Sequence, residues 1–318
     1  MLKKTIIFLL DCLPVEWRDA LFGIKRFRAK NRILPAPSII FFTEKGKWHG
    51  GFADRMKGIV TLFHYCLVKN IEFKIYYTFP FELSNFLQPN EYDWIIRDSK
   101  SIIYNRSEAK FVSIIGDGTI NRLTKLKTKK QIHAFANRDV VNLLNDYYKT
   151  SYTWGELFNM LFKPTDKLQA AIDEKLKIID GKYICAVFRF QNMLGDFAEY
   201  QYKPLSEDKK EILIEKCKKA VSDLQKNENQ RILVTSDSET FLKSLKNLPN
   251  VFSFPAKVVH IDNGENETYN VYMKSFLDFY LLSASEKIYS IGTAEMYKSE
   301  FPLYAAKVNN IAFERILV

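Results

Sequence analysis

Three short apolar runs in the second half of the chain each end on polar residues suited to a nucleotide diphosphate. Tyr183-Ile184-Cys185-Ala186-Val187-Phe188 leads into Arg189, Arg231-Ile232-Leu233-Val234 into Thr235-Ser236-Asp237, and Lys287-Ile288-Tyr289-Ser290-Ile291 into Gly292-Thr293. Runs of this length, bounded by turns and separated by helical stretches, read as parallel strands of an α/β sheet. Ligands bind such sheets outside the carboxyl ends of the strands, so the three ends are expected to face one crevice. An arginine fork matches phosphate oxygens, and an aspartate accepts hydrogen bonds from a base or ribose. A Gly-Thr turn opening a helix offers N–H groups to an anion. The set points to a nucleotide-linked donor. The competing readings are structural: Arg189 in a salt bridge to Asp196 or Glu199, and Asp237 and Thr293 as helix N-caps.

A chain of 318 residues accommodates two α/β domains of ordinary size. With 47% hydrophobic residues, only 12 Gly and 10 Pro, it is neither disordered nor collagenous. Cys12, Cys66, Cys185 and Cys217 lack Cys-x-x-Cys spacing, which signals neither zinc nor a disulfide framework and leads us to expect reduced thiols in a cytosol. The apolar start Thr5 to Leu10 is cut off by Asp11, short of a secretory h-region, and no later run approaches the length of a membrane span. The expected location is cytoplasmic, and the sequons at Asn105 and Asn266 then carry no glycosylation meaning.

Forty-seven Lys and Arg against 37 Asp and Glu leave a net charge of +10, which favours phosphate-rich ligands or anionic surfaces. Lys25, Arg26, Arg28, Lys30 and Arg32 follow Val15, Trp17, Leu21, Phe22 and Ile24. This aromatic, basic segment is expected either to contact an anionic inner-membrane surface peripherally or to be a helix with a solvated basic face. The second cluster, Arg122, Lys125, Lys127, Lys129 and Lys130, lacks aromatic interleaving and reads as a solvated loop.

The order of elements suggests residues 1–37 as an N-terminal basic amphipathic segment, 38–150 as a first α/β domain on the acceptor side, 151–180 as a helical connection and 181–318 as the donor domain. Strands are expected at 38–42, 72–78, 93–97, 110–115 and 132–135, then at 183–188, 231–234, 251–254, 258–261 and 287–291. Helices are expected from 137 to 162, then beyond Pro164 to Lys177, and near 206–226, 238–246 and 270–284. In the first half, Gly50-Gly51-Phe52-Ala53-Asp54-Arg55 precedes a helix. Its two glycines allow either close backbone approach to a ligand or only a tight chain reversal.

That stretch resembles the Gly-Gly-Leu-Gly-Asp/Asn-Arg motif of the fucosyltransferase superfamily that includes nodulation fucosyltransferase, core α-1,6-fucosyltransferase and protein O-fucosyltransferases. Val187-Phe188-Arg189-Phe190 is similar to its His-x-Arg-Arg segment and Leu233 to Asp237 to its Ala-Thr-Asp strand end. Lys274 to Phe279, Ser290 to Thr293 and Ser299 to Ala306 resemble its C-terminal helix, glycine-hydroxyl turn and closing helix. The order holds over residues 38–313.

The resemblance implies an α/β GT-B-like architecture, with two Rossmann-like domains facing across a cleft. It implies inverting, metal-independent transfer of fucose from GDP-fucose to a glycan or lipid-linked glycan acceptor, in a bacterial glycan-synthesis enzyme. Arg189 would contact the donor β-phosphate and stabilise departing GDP, Ser236 and Asp237 would lie on the donor, with Asp237 at guanine or ribose, and Gly292 and Thr293 would meet the phosphates. Gly50, Gly51, Asp54 and Arg55 would line the cleft. The family histidine position is Val187, its second arginine is Phe190 and its third motif glycine is Ala53. These departures bear on specificity for guanine and fucose.

Inverting transfer needs a base for the acceptor proton and charge to hold the leaving diphosphate. The loop after Arg189 supplies Asp196 and Glu199 as candidates. No metal is expected, because neither an Asp-x-Asp motif after an apolar strand nor a His/Cys/carboxylate cluster with ligand spacing occurs. P-loop, dinucleotide and serine-elbow motifs are also missing from the sequence. The alternatives are a transferase using another nucleotide sugar, a non-catalytic nucleotide-binding relative, and a polyanion binder. Nucleic acid is not the expected partner, since the aromatics fall in apolar periodic runs that read as core.

Overall fold

The computed structural model describes residues 13–27, 37–45, 49–196, 203–225, 230–261 and 267–318. Cys12, Arg28, Lys30, Arg32, Glu199 and Asn266 lie outside the described residues. The rest divides into two compact units. The first takes the residues up to Gly50, then Asp54–Leu83 and Pro89–Phe162; the second takes Gly51–Ala53, Ser84–Gln88 and Lys163–Val318.

The first unit is built on a parallel sheet of order β2-β1-β5-β4. The strands are β1 (Ser38–Thr43), β2 (Glu72–Tyr77), β4 (Ala109–Ile114) and β5 (Gln131–Ala136). Two short strands, β3 (Leu87–Pro89) and β6 (Phe162–Pro164), lie where the chain passes between units. Every residue of β1 and β5 is buried, as expected of central strands covered on both faces. β2, at one edge, alternates instead. The expected strand at 93–97 reduces to one bridge, Ile95 to Ile75. Asp93 accepts from the Ile95 amide and pairs with Arg97, which satisfies the segment locally rather than through a ladder.

The helices of this unit are α1 (Val15–Arg26), α2 (Phe52–Lys69), α3 (Thr119–Thr124), α4 (Val141–Tyr148) and α5 (Trp154–Leu161). α2 approaches β5 so closely that a Cβ on Gly58 would lie 1.8 Å from the Ala136 carbonyl oxygen, so glycine is obligatory there. The continuous helix expected from 137 to 162 is broken, because Lys149 adopts a left-handed conformation at φ 58° and Thr153 and Glu156 form a capping box that starts α5 afresh. The boundary between units therefore falls at Phe162, inside the segment expected to be a connection. α5 belongs to the first unit and α6 (Asp166–Ile179) to the second.

α1 groups with the first unit. Asp19 accepts from the Ser113 amide on the edge strand β4 and from Arg122, which covers an otherwise open sheet edge. Arg26 is withdrawn from the basic cluster. It pairs with Glu44, lies 3.9 Å over the Phe42 ring and donates from Nε to His133 Nδ1 at 2.7 Å. His133 must therefore carry its proton on Nε2, which faces Gln131 Oε1 at 2.9 Å. Gln131 is fully used: it also accepts from the Ile103 amide and donates to Ser38 and the Ser101 carbonyl.

The second unit is a parallel sheet of order β11-β10-β7-β8-β9. Its strands are β7 (Tyr183–Phe188), β8 (Arg231–Ser236), β9 (Val251–Phe252), β10 (Lys287–Gly292) and β11 (Ala312–Leu317). With α6 come α7 (Glu207–Leu224), α8 (Glu239–Ser244), α9 (Tyr269–Ser283) and α10 (Phe301–Val308). Phe188, Phe190, Phe241 and Val221 belong to its core. The expected strand at 258–261 is not a strand, and β11 was not anticipated. Its half-exposed Ala312-Phe-Glu-Arg-Ile-Leu pattern lacks an apolar run, yet all six residues pair with β10. Among the described residues no helix is long and apolar enough to cross a membrane.

Burial pushes His64 down to about 4, and burial with the neighbouring Arg26 charge pushes His133 down to about 2. In the unfolded chain both titrate near 6.5. As pH falls below that value the unfolded state gains protons that the folded state refuses, so stability present above pH 6.5 is lost toward pH 4. Urea unfolding should show this loss, at up to about 1.4 kcal/mol per pH unit for each histidine. His64→Gln should make it shallower, leaving the His133 share, and an unchanged pH slope in that variant would contradict the assignment.

Candidate functional site

Parallel register fixes the site of the second unit. Phe188 stands opposite Ser236 on one side and Ile291 on the other, so Arg189, Asp237 and Gly292 leave neighbouring strands at the same edge. The sheet thus brings together all three strand ends singled out in the sequence.

Asp237 is the organising group. Its Oδ1 accepts from the Phe190 amide at 2.8 Å, and its Oδ2 accepts from the Gln191 amide and from Arg189 Nη1, both at 2.7 Å. The carboxylate is 2% exposed and the arginine side chain 20%. Burial raises the pKa of Asp237, while Arg189 and the two amides pull it back down. With these acceptor positions filled, the carboxylate holds Arg189 and the loop behind it, which is a positioning geometry rather than an open acceptor for a base or ribose. Arg189 thus has a structural partner, but that partner is Asp237 and not Asp196.

The amide geometry requires an unusual turn: Gln191, itself buried, sits at φ 53°, a region that non-glycine residues seldom occupy. Sequence reading missed this residue, because nothing in its type announces a left-handed conformation. Phe190, at the place of the family's second arginine, is fully buried. Its ring lies 4.9 Å from Phe241 and stacks with Phe188 at 6.1 Å. Val187 is also buried. Both departures from the family pattern thus supply core.

Asp196 Oδ2 accepts from Ser238 Oγ and from the Thr240 amide, both at 2.8 Å, at the start of α8. The N-cap of α8 is Ser238, whose hydroxyl accepts from the Phe241 amide; Asp237 is not a cap. Ser236 is buried and its hydroxyl accepts from the Ser238 amide. Gly292-Thr293 does not open a helix as expected. The Met296 amide closes a turn onto the Thr293 carbonyl, and α10 begins only at Phe301. Any anion held here would meet a turn rather than a helix N-terminus.

In the first unit, Gly50 adopts φ 79°, and a Cβ there would fall 2.8 Å from an Asp54 oxygen. Arg55 is fully buried and donates to the Gly50 and Phe79 carbonyls at 3.0 and 2.7 Å. Asp54 pairs with Lys57 at 2.6 Å. The motif is therefore a braced chain reversal. Gly51 and Phe52 group with the second unit, where Phe52 packs against Phe276, Phe279 and Phe301. Among the described residues, no cluster of three His, Cys, Asp or Glu could hold a metal ion.

No protein-family model and no curated protein matches this sequence. Solved structures are similar. A mutant of Arabidopsis thaliana FUT1 in complex with GDP has a TM-score of 0.55 at 11% identity, covering 96% of this chain and 75% of that one. NodZ alpha-1,6-fucosyltransferase soaked with GDP-fucose has a TM-score of 0.51 at 13% identity, covering 86% and 92%. The fucosyltransferase NodZ from Bradyrhizobium, in its Se-Met form, also gives 0.51 at 13%, covering 85% and 91%. The protein has the GT-B-like α/β fold of these fucosyltransferases.

Removing the buried carboxylate would take from the Phe190 and Gln191 amides the acceptor they share. Asp237→Ala should therefore cost about 3 kcal/mol or more in urea unfolding, and Asp237→Asn, which keeps one acceptor oxygen, distinctly less. Equal stability of both variants and the parent protein would show that Asp237 is not the anchor of this edge.

Proposed function

We propose that the protein is an inverting glycosyltransferase that takes fucose from GDP-fucose and delivers it to a glycan or lipid-linked glycan without a metal. The observation that carries this reading is the Arg189–Asp237 pair at the carboxyl edge of the second sheet. It lies beside the Gly292-Thr293 turn, on a fold shared with enzymes solved with GDP and GDP-fucose. Leaving-group departure develops charge on a diphosphate, and a guanidinium whose orientation is already fixed stabilises that charge without reorganising during the reaction. Asp237 does the fixing. The Thr293 turn, with Thr293 itself buried, is the second phosphate contact in this proposal.

The acceptor hydroxyl must lose a proton as the sugar is transferred. Asp196 already accepts two hydrogen bonds at the start of α8, which suits a structural role. The base role is therefore assigned to Glu199 of the same loop. The location proposed with a lipid-linked acceptor is the cytoplasmic face of a membrane.

GDP and GDP-fucose should raise the melting temperature, while UDP-, ADP-, CMP- and TDP-sugars should not, because a ligand selective for the folded state stabilises it by mass action. A shift by UDP- or CMP-sugars alone would overturn the donor assignment. Arg189→Ala should lower turnover by roughly two orders of magnitude, with incomplete rescue by Arg189→Lys, which lacks the planar fork. Turnover within a few-fold of the parent in a folded Arg189→Ala protein would remove Arg189 from the mechanism. EDTA should leave activity intact; GDP binding with no transfer to any acceptor would instead favour a non-catalytic relative.

A further inference from the structure

Three residues of the basic cluster that the sequence presents as a solvated loop, Arg122, Lys125 and Lys127, line a groove. α1, the edge strand β4 and the region of α3 enclose a space of about 650 Å³ in the first unit. Lys110 comes from β4, and Lys125 and Lys127 from the segment after α3. Glu16, exposed on α1, is the one carboxylate among the described residues lining it. Asp19, the nearby acid of α1, is already committed to Ser113 and Arg122. Arg122 also lines the groove, and its Nη1 is buried with no hydrogen-bond partner among the described residues.

The groove is not only basic. Val15, Val112, Ile115 and Leu126 contribute apolar surface between the cations. Alongside it, α1 exposes Trp17, Leu21 and Ile24, at 67, 43 and 48%. These positions fall at i, i+4 and i+7, on one face of the helix. Like charges gathered with little compensation favour an anion, and the apolar lining favours a ligand that is not anionic throughout. A polynucleotide would use the lysines and leave the apolar surface wet. A phosphorylated amphiphile uses both.

We propose that this groove binds the phosphate of a lipid, with Lys110, Lys125 and Lys127 on the anionic group and the Val15–Val112–Leu126 surface along the first part of its chain. Burial, together with Lys130 and Lys127, lowers the pKa of Lys110, consistent with cations held close together without an acid between them. Bound there, a lipid phosphate would bring a membrane-embedded acceptor to the first unit. The inference rests on the lipid-linked acceptor of the proposed function and is independent of the donor, whose residues belong to the second unit.

Calorimetric titration of the full chain with decyl phosphate, inorganic phosphate, decanol and a short oligonucleotide tests it. Decyl phosphate should bind at least about tenfold more tightly than any of the others. The triple variant Lys110→Gln, Lys125→Gln, Lys127→Gln should weaken it at least about tenfold, and the double variant of the two exposed lysines, 125 and 127, should give an intermediate loss should the triple variant fold poorly. Equal binding of inorganic phosphate or of the oligonucleotide, no binding of decyl phosphate, or undiminished binding in the folded variants would each overturn the proposal. A GDP-induced thermal shift in the same variants reports the donor site separately. If that shift is missing while decyl phosphate still binds the parent protein, the donor reading fails and the lipid site stands.

Discussion

A buried carboxylate holds the carboxyl edge of the second sheet together. Asp237 leaves β8 and gathers the two amides after β7 and the guanidinium of Arg189 onto its two oxygens. A charge placed this far from water is costly unless its acceptor positions are filled by strong donors, and here they are. The same bonds fix the backbone of Phe190 and Gln191, so the turn that aims Arg189 cannot relax without stranding the carboxylate. Charge satisfaction and site geometry are therefore one constraint. The strain at Gln191 is tolerated because surrounding bonds over-determine it.

The core supports that edge from below. Phe188, Phe190 and Phe241 pack as a group under the loop. Phe190 belongs to both systems: its amide serves Asp237 and its ring serves the core. A second arginine at this position would have to abandon the aromatic contacts, so phenylalanine here is a packing choice. Asp196 and Ser238 then tie the far end of the same loop to α8. Three anchors bracket a loop of eight residues from Arg189 to Asp196.

The first unit uses buried polar groups in a different way. Arg26, His133, Gln131 and Asp19 link α1 and the sheet through bonds that span more than ninety residues of sequence. Gly58 lets α2 lie almost against the β5 backbone. The Gly50 turn is braced by Arg55 from below and by Asp54 beside it, so its charges do local work. This is why a basic segment that reads as a surface anchor in one dimension contributes a buried cation in three.

The sequence by itself determined the α/β class and the parallel strands of the second unit, because apolar runs with polar ends are a local pattern set by backbone periodicity and burial. It also placed three polar strand ends in register: Arg189, Asp237 and Gly292-Thr293 come to one sheet edge. The resemblance of ordered motifs anticipated a fucosyltransferase-like fold that the solved structures share. What it did not contain were the pairings. Whether Arg189 meets Asp196 or Asp237, whether Thr293 opens a helix or a turn, and whether Arg26 faces solvent or Phe42 depends on groups distant along the chain, and no local signal encodes them. β11 escaped notice because an edge strand needs only backbone bonds to β10 and no apolar run of its own. Lys110 joined Lys125 and Lys127 only when β4 met α3. Tertiary structure decided these points because a side chain's partner is set by three-dimensional proximity and by the cost of leaving it unpaired.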